Sequence, residues 1–279
     1  MPAAAQRVVL ITGASAGIGL ATADYLQGQD WTVIGASRRG GVATDPAIGV
    51  VGSGWSPLVM DVDDDESVRR GVDGVAAEHG RLDAVVACAG WGLAGAVEQT
   101  PIAEARAQVE TNFWGAVRVV QAALPHMRRR GGGHLVLVSS IGGIIGIPFQ
   151  AFYSASKFAL EGYGEALAYE VAPFGIAVTL VEPGNVRTDF TTSRRHVAPP
   201  DGDDPYAASV SKAIGMMERD EANGVDPLDA AKVIAGALRS PHPRRRVSVG
   251  KASERVGLLA KRLMPYRVFE RAAKGSLGV

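Results

Sequence analysis

Tyr153 and Lys157 stand four residues apart in the run Tyr153-Ser154-Ala155-Ser156-Lys157. On a helix that spacing puts both side chains on one face, so their head groups can reach the same ligand. A phenol is a poor acid–base group near neutral pH, and an adjacent ammonium favours its ionised form. Upstream, Ser140 follows the apolar run Leu135-Val136-Leu137-Val138, whose pattern predicts a buried strand. A hydroxyl is thereby set at a strand's C-terminal edge, where ligands bind in open α/β sheets. By itself the Tyr-x-x-x-Lys pair also fits a solvated helix. The elements around it decide for chemistry.

Those elements alternate. Val8 to Thr12 is a short β-branched run, then come Gly13-Ala14-Ser15-Ala16-Gly17-Ile18-Gly19 and a helical pattern through Leu26, and Trp31 to Ala36 predicts the next strand. A βαβ unit of this kind implies parallel strands and a right-handed crossover. Further strands are predicted near Leu58-Val59-Met60, at Ala84–Ala87, at Leu135–Val138, at Ile176–Val181 and at Val247-Ser248-Val249. Helices are predicted at about Asp64–His79, along one long stretch from Pro101 to Met127, from the Tyr153 region to Val171, and at about Pro227–Leu238. The expected fold is α/β: one doubly wound, Rossmann-type parallel sheet of about seven strands with helices on both faces, a single domain over residues 1–279. Residues 188–226 are polar and rich in proline and aspartate, so they are expected to be an irregular substrate lid. Residues 251–279 carry seven Lys/Arg against two Glu, with an apolar side at Leu258, Leu259, Leu263, Val268 and Phe269. They are expected to form a helical extension packed on the body with a solvated basic face, which Pro265 favours by splitting the pattern; a membrane-surface or partner helix is the alternative, and membrane contact is not the expectation.

The 279 residues balance to a formal net charge of zero, which offers nothing to a nucleic acid or other polyanion. The single cysteine, Cys88, precludes an intrachain disulfide and fits a reducing compartment. No apolar run approaches the ~20 residues of a membrane span, Met1–Gln6 is too short and polar for a secretory core, and the five histidines lack metal-ligand spacing. A cytoplasmic, metal-free chain is expected.

The glycines at 13, 17 and 19 let a backbone turn tightly against a pyrophosphate, which then sits at a helix N-terminus. After the second strand the run Gly35-Ala36-Ser37-Arg38-Arg39 holds no carboxylate for ribose hydroxyls. A guanidinium there suits a 2′-phosphate by charge and by forked hydrogen bonds, so Arg38 is read as its ligand, with Ser37 and Arg39 beside it.

In this order and spacing, Thr12-Gly-Ala-Ser-Ala-Gly-Ile-Gly19, Asn112, Ser140, Tyr153-Ser-Ala-Ser-Lys157 and Pro183-Gly-Asn-Val-Arg-Thr188 resemble the short-chain dehydrogenase/reductase family over about residues 7 to 190. The resemblance implies an NADP(H) cofactor, and the absence of an acid before Arg38 is similar to the NADP-preferring members. It implies a tetrad of Asn112, Ser140, Tyr153 and Lys157. In that scheme Ser140 hydrogen-bonds the substrate oxygen, Tyr153 exchanges the proton, Lys157 holds the nicotinamide ribose and Asn112 anchors a water. Gly13, Ser15, Gly17, Ile18 and Gly19 would cradle the phosphates, with Asp61 and Val62 beside the adenine. Ala89, Gly90, Pro183, Gly184, Val186 and Thr188 would border the nicotinamide half. Where the family often has Asn-Asn-Ala-Gly this chain has Ala87-Cys88-Ala89-Gly90, which puts the rigidity of that turn in doubt.

For substrate, Trp91 and the apolar set Ile141, Ile144, Ile145, Ile147 and Phe149 predict a lipophilic pocket. The layout beyond Pro183 is similar to 17β-hydroxysteroid and retinol dehydrogenase-like members. The expectation is an NADPH-dependent oxidoreductase acting on a medium to bulky apolar carbonyl or alcohol, as a homodimer or homotetramer. A non-catalytic NADP-sensing module and a dehydratase or epimerase with the same cofactor are the other classes considered.

Overall fold

The computed structural model describes residues 6–40, 54–200, 202–265 and 267–271. The first half of the chain runs β1 (Arg7–Thr12), α1 (Gly17–Gln27), β2 (Trp31–Ser37), β3 (Ser56–Val59), α2 (Asp65–His79), β4 (Ala84–Ala87) and a two-residue β5 (Leu93–Ala94). Then come α3 (Ile102–Val109), α4 (Gly115–Arg130), β6 (Gly133–Val138), α5 (Ala151–Val171) and β7 (Ile176–Pro183). The remainder is α6 (Phe190–Ser193), a two-residue β8 (Arg195–His196), α7 (Ala207–Ala222), α8 (Pro227–Arg239), β9 (Arg246–Val249) and α9 (Ala252–Leu263).

Seven strands make one parallel sheet in the order β3-β2-β1-β4-β6-β7-β9. β1 lies between β2 (Val9 opposite Val33) and β4 (Val9 opposite Ala84). The central strands are apolar on both faces because helices cover both, which is why they read as continuous hydrophobic runs without alternation. One core forms where Val68 and Val72 of α2, Val119 and Val120 of α4, and Leu160 of α5 pack on the sheet. The other forms where Ala23 and Leu26 of α1 and Ala230 and Ile234 of α8 pack on the opposite face. From β1 the chain winds outward through β2 and β3, then returns to add β4 on the other side. That reversal between β1 and β4 opens a crevice at the strands' C-terminal ends.

Two expectations change. The long helix is interrupted at Glu110–Trp114 by a π-turn between α3 and α4. The segment after Thr188, expected to be irregular apart from a modest helical stretch near Met216, carries a four-turn helix there (α7) and also the short α6 and β8. Its two ends are stitched together, since Val225 N–H donates to the Asn185 carbonyl (3.0 Å) and Arg187 N–H donates to the Val225 carbonyl (3.0 Å). β8 pairs with β5, Leu93 opposite Arg195, which ties the segment to the loop after β4. In the C-terminal extension α9 ends before Pro265. Residues 272–279, Lys274 among them, lie outside the described residues.

Candidate active site

One cavity of about 1090 Å³ opens along the crevice. The glycine turn, Ser37, Arg38, Asp61, Val62, Ala89, Gly90, Trp91, Ser140, Tyr153, Lys157, Pro183, Gly184, Val186 and Thr188 all border it. Asn112 does not. Residues as far apart in sequence as Gly13 and Thr188 are thus set around one volume by the sheet's parallel order, because every β-to-α turn falls at the same edge.

At the head of the crevice Gly13 adopts φ +69°, and a Cβ there would come within 2.9 Å of Ala89 Cα. A Cβ on Gly19 would lie 2.3 Å from the Gly13 carbonyl oxygen. Both contacts require glycine, and together they seat α1 directly on the turn. α1 starts with Ala16 as N-cap, without a side-chain cap and without an acidic residue in its first turn. Its first N–H groups are left for an anion, and the helix dipole favours one. Gly17 faces Thr188 across the gap, its Cβ position 3.4 Å from Thr188 Cβ. These residues fit a pyrophosphate. Arg38 and Arg39 are exposed at the cavity's rim, and among the described residues neither is held in an ion pair.

The turn after β4, left in doubt by the missing asparagines, is held by other groups. The Thr12 hydroxyl accepts from Cys88 N–H (3.0 Å) and Ala89 N–H (3.1 Å), bridging the β1 and β4 sides. Asn112 is buried and grips the backbone of Trp91. Its Oδ1 accepts from Trp91 N–H (3.0 Å), while its Nδ2 donates to the Trp91 carbonyl (3.0 Å) and to Ser156 Oγ (3.2 Å). Ser156 in turn donates to the Tyr153 carbonyl (2.7 Å). The amide positions Trp91 and α5. Gln108 adds a bond to the Trp91 carbonyl (2.7 Å). The signal for this clamp was the polar residue Asn112 inside an otherwise amphipathic helix; its π-turn re-aims the side chain inward.

Ser140 caps the short turn after β6, its Oγ accepting from Gly142 N–H at 3.0 Å. Tyr153 is 8% exposed. Burial pushes its phenol up to about 12, and a hydrogen bond from Ser140 works against the rise. Lys157, also buried, donates to the Val138 carbonyl at 2.9 Å, and its Nζ lies 6.0 Å from the Tyr153 ring centroid. Burial pulls its ammonium down to about 8. Desolvation is the largest influence on both groups. Cys88 is half-buried with its thiol pushed up to about 11 by burial, which keeps it in the unreactive protonated form.

The lining beyond Tyr153 mixes apolar side chains with Asp189, Arg195, Asp220 and Glu221. Ile141, Ile145 and Ile147 border the cavity, whereas Ile144 and Phe149 do not. Phe149 sits at φ +58°, a left-handed conformation for a bulky residue, and its carbonyl accepts from Gly95 N–H at 2.8 Å. Phe190 stands over Tyr153 with ring centroids 5.7 Å apart, and Arg195 stacks 4.2 Å from the Trp91 ring. Arg194 went unnoticed in the sequence. Its side chain is fully buried and ion-paired with Glu221 of α7, while its Nε and Nη1 have no hydrogen-bond partner among the described residues. Glu221 also accepts from Thr191 Oγ1 (2.6 Å) and borders the cavity. α9 supplies a last wall through Ser253, Val256, Gly257 and Ala260.

A family model described as short chain dehydrogenase matches residues 7–198. The chain belongs to the short-chain dehydrogenase family, and it is an oxidoreductase of that family built to use a nucleotide cofactor. It is 39% identical over 268 residues to a 3-ketodihydrosphingosine reductase of Bacteroides thetaiotaomicron, covering 96% of this chain and 97% of that protein. It is 38% identical over 258 residues to retinol dehydrogenase 8 of Bos taurus, covering 88% of this chain and 82% of that one. The solved structure of a short-chain dehydrogenase from Streptomyces avermitilis superposes with a TM-score of 0.81 at 33% identity, covering 98% of this chain and 99% of that one.

Proposed function

We propose that this enzyme is an NADP(H)-preferring carbonyl reductase, reversible as an alcohol dehydrogenase, acting on a medium to bulky apolar substrate. The carrying observation is that Ser140, Tyr153 and Lys157 share one cavity that is bordered both by the exposed Arg38 and Arg39 and by isoleucines, Phe190 and α9. NADPH, when bound, supplies the hydride. Arg38 takes the 2′-phosphate with Ser37 and Arg39 beside it, the α1 N-terminus takes the pyrophosphate, and Asp61 and Val62 flank the adenine. Pro183, Gly184, Val186 and Thr188 border the nicotinamide, and Lys157 holds its ribose.

Because burial keeps the phenol protonated far above neutral pH, Tyr153 is a proton donor in the direction of reduction. As the carbonyl carbon gains hydride, the oxygen takes the Tyr153 proton while the Ser140 hydroxyl hydrogen-bonds it. Asn112 holds the wall against which this happens. Relatives named for 3-ketodihydrosphingosine and for retinol point to long, largely hydrocarbon substrates, and Ile141, Ile145, Ile147 and Phe190 in the lining support that reading. The helices holding Asn112 and Tyr153 leave Trp114 and Phe158 exposed, which supports a homodimer or homotetramer joined there.

The test is NADPH consumption against ketones and aldehydes that include 3-ketodihydrosphingosine and retinal, repeated with NADH and with Tyr153→Phe. Turnover preferring NADPH and reduced about a hundredfold or more in Tyr153→Phe is expected. Equal use of NADH would remove the role given to Arg38, and undiminished turnover in Tyr153→Phe would remove the proton donor.

A further inference from the structure

α9 has two working faces. Through Ser253, Val256, Gly257 and Ala260 it borders the cavity. Glu254 fastens it inward, accepting from Asn185 N–H (3.0 Å) and Asn185 Nδ2 (2.7 Å). Lys261 is likewise turned inward, donating to the Ile144 carbonyl and lying over the Phe158 ring. What remains outward is Arg255, Val256, Leu259, Arg262 and Leu263, recurring at the three- and four-residue spacing of one helix face. Val256 is 64% exposed, Leu259 55% and Leu263 70%. The solvated basic face expected from the sequence is therefore mixed: apolar side chains stand in the open with exposed arginines between them.

We propose that this face of α9 docks on an anionic lipid bilayer surface, bringing the mouth of the cavity against the lipid from which an apolar substrate would enter. The substrate part of this inference rests on the carbonyl-reductase reading; the docking part does not. Helices that lie in a membrane interface combine exposed aliphatic residues with Lys/Arg, and binding grows with both apolar burial and attraction to anionic headgroups. No helix among the described residues is long and apolar enough to cross a membrane, so contact would be at the surface. Charge selects this occupant over a second copy of the chain. An isologous contact would bring Arg255 and Arg262 against the same residues of the other copy, while α9's own acid, Glu254, is spent inward. Anionic headgroups neutralise those arginines directly. Val256 both borders the cavity and stands exposed, so the docked face and the cavity mouth are continuous.

The full-length protein is tested by co-sedimentation with vesicles of phosphatidylcholine alone and of phosphatidylcholine with phosphatidylglycerol. Binding is expected with the anionic vesicles and should weaken as salt rises. The double variant Leu259→Glu/Leu263→Glu should raise the lipid needed for half-binding about tenfold or more, and Arg255→Ser/Arg262→Ser should raise it by about fivefold per arginine. Both variants should turn over a short soluble ketone with NADPH at the unchanged rate, because none of these residues borders the cavity. No sedimentation of the native protein with anionic vesicles overturns the proposal. So does native-like sedimentation of both variants, or a change in their oligomeric mass by sedimentation velocity, which would mark the face as a contact between copies. Loss of ketone turnover in the native protein would instead count against the reductase reading and leave docking to be judged by sedimentation.

Discussion

At Asn112 one side-chain amide does what two missing asparagines leave undone. It meets both polar groups of the Trp91 backbone and, through Ser156, the backbone of Tyr153. Replacing it with alanine strands the buried Trp91 N–H without an acceptor, and an orphaned buried donor costs about 1–3 kcal/mol. Asn112→Ala is expected to lower the melting temperature and to reduce turnover more than NADPH affinity. Melting and kinetics that both match the native enzyme would show that Thr12 and Gln108 hold the turn without it. Tyr153 and Lys157 were legible at this scale as residues and as neighbours. Their ionisation was not, because burial pushes the phenol up and the ammonium down, and burial depends on the surfaces packed around them.

At the scale of elements, α9 is joined to the loop after β7 by one carboxylate. Glu254 receives three hydrogen bonds, from Asn185 N–H, Asn185 Nδ2 and Lys251 N–H. Gly184 makes room for it, since a Cβ there would lie 2.3 Å from Glu254 Oε2. Glu254→Ala should free α9 while leaving the sheet intact. The expected readouts are faster trypsin cleavage around Lys251 and Arg255 and a severalfold rise in KM for an apolar substrate. Cleavage at the native rate would show that other contacts hold the helix. The strands and helices themselves were legible from period and punctuation: α2 begins just after Asp64, whose side chain caps it, and α5 ends at Val171 ahead of Pro173 and Gly175. The π-turn at Glu110–Trp114 was not, because one extra residue in a helical turn leaves the hydrophobic period on either side unchanged.

For the molecule as a whole, His134 sets a limit at acid pH. It is buried between β4 and β7, with its Nε2 3.0 Å from Thr179 Oγ1. Thr179 passes its own proton to the Arg244 carbonyl (3.0 Å), so the imidazole is the donor. Burial pulls its pKa from 6.5 down to about 4. The folded protein thus keeps His134 neutral where the unfolded chain binds a proton, so stability is present above pH 6.5 and is lost as pH falls towards 4. The shift corresponds to about 3 kcal/mol. Denaturation of His134→Gln should show a shallower loss across that window than the native protein, and parallel curves would deny His134 this role.

The order of apolar runs, glycine turns and helical periods in the chain determined the parallel sheet, its crevice and most of the residues around it, because those signals are local and each names its own element. Only the tertiary structure decided what lies behind and beyond them. Burial set the protonation of Tyr153 and Lys157. Contacts across the crevice made Thr12 and Asn112 its braces, and the packing of α7 on α6 buried Arg194 beside the site. α9 took its acid and one lysine inward and left leucines and arginines facing out. Each of these depends on which distant surfaces meet, and a charge or a hydroxyl has no fixed role until its neighbours and its distance from water are known.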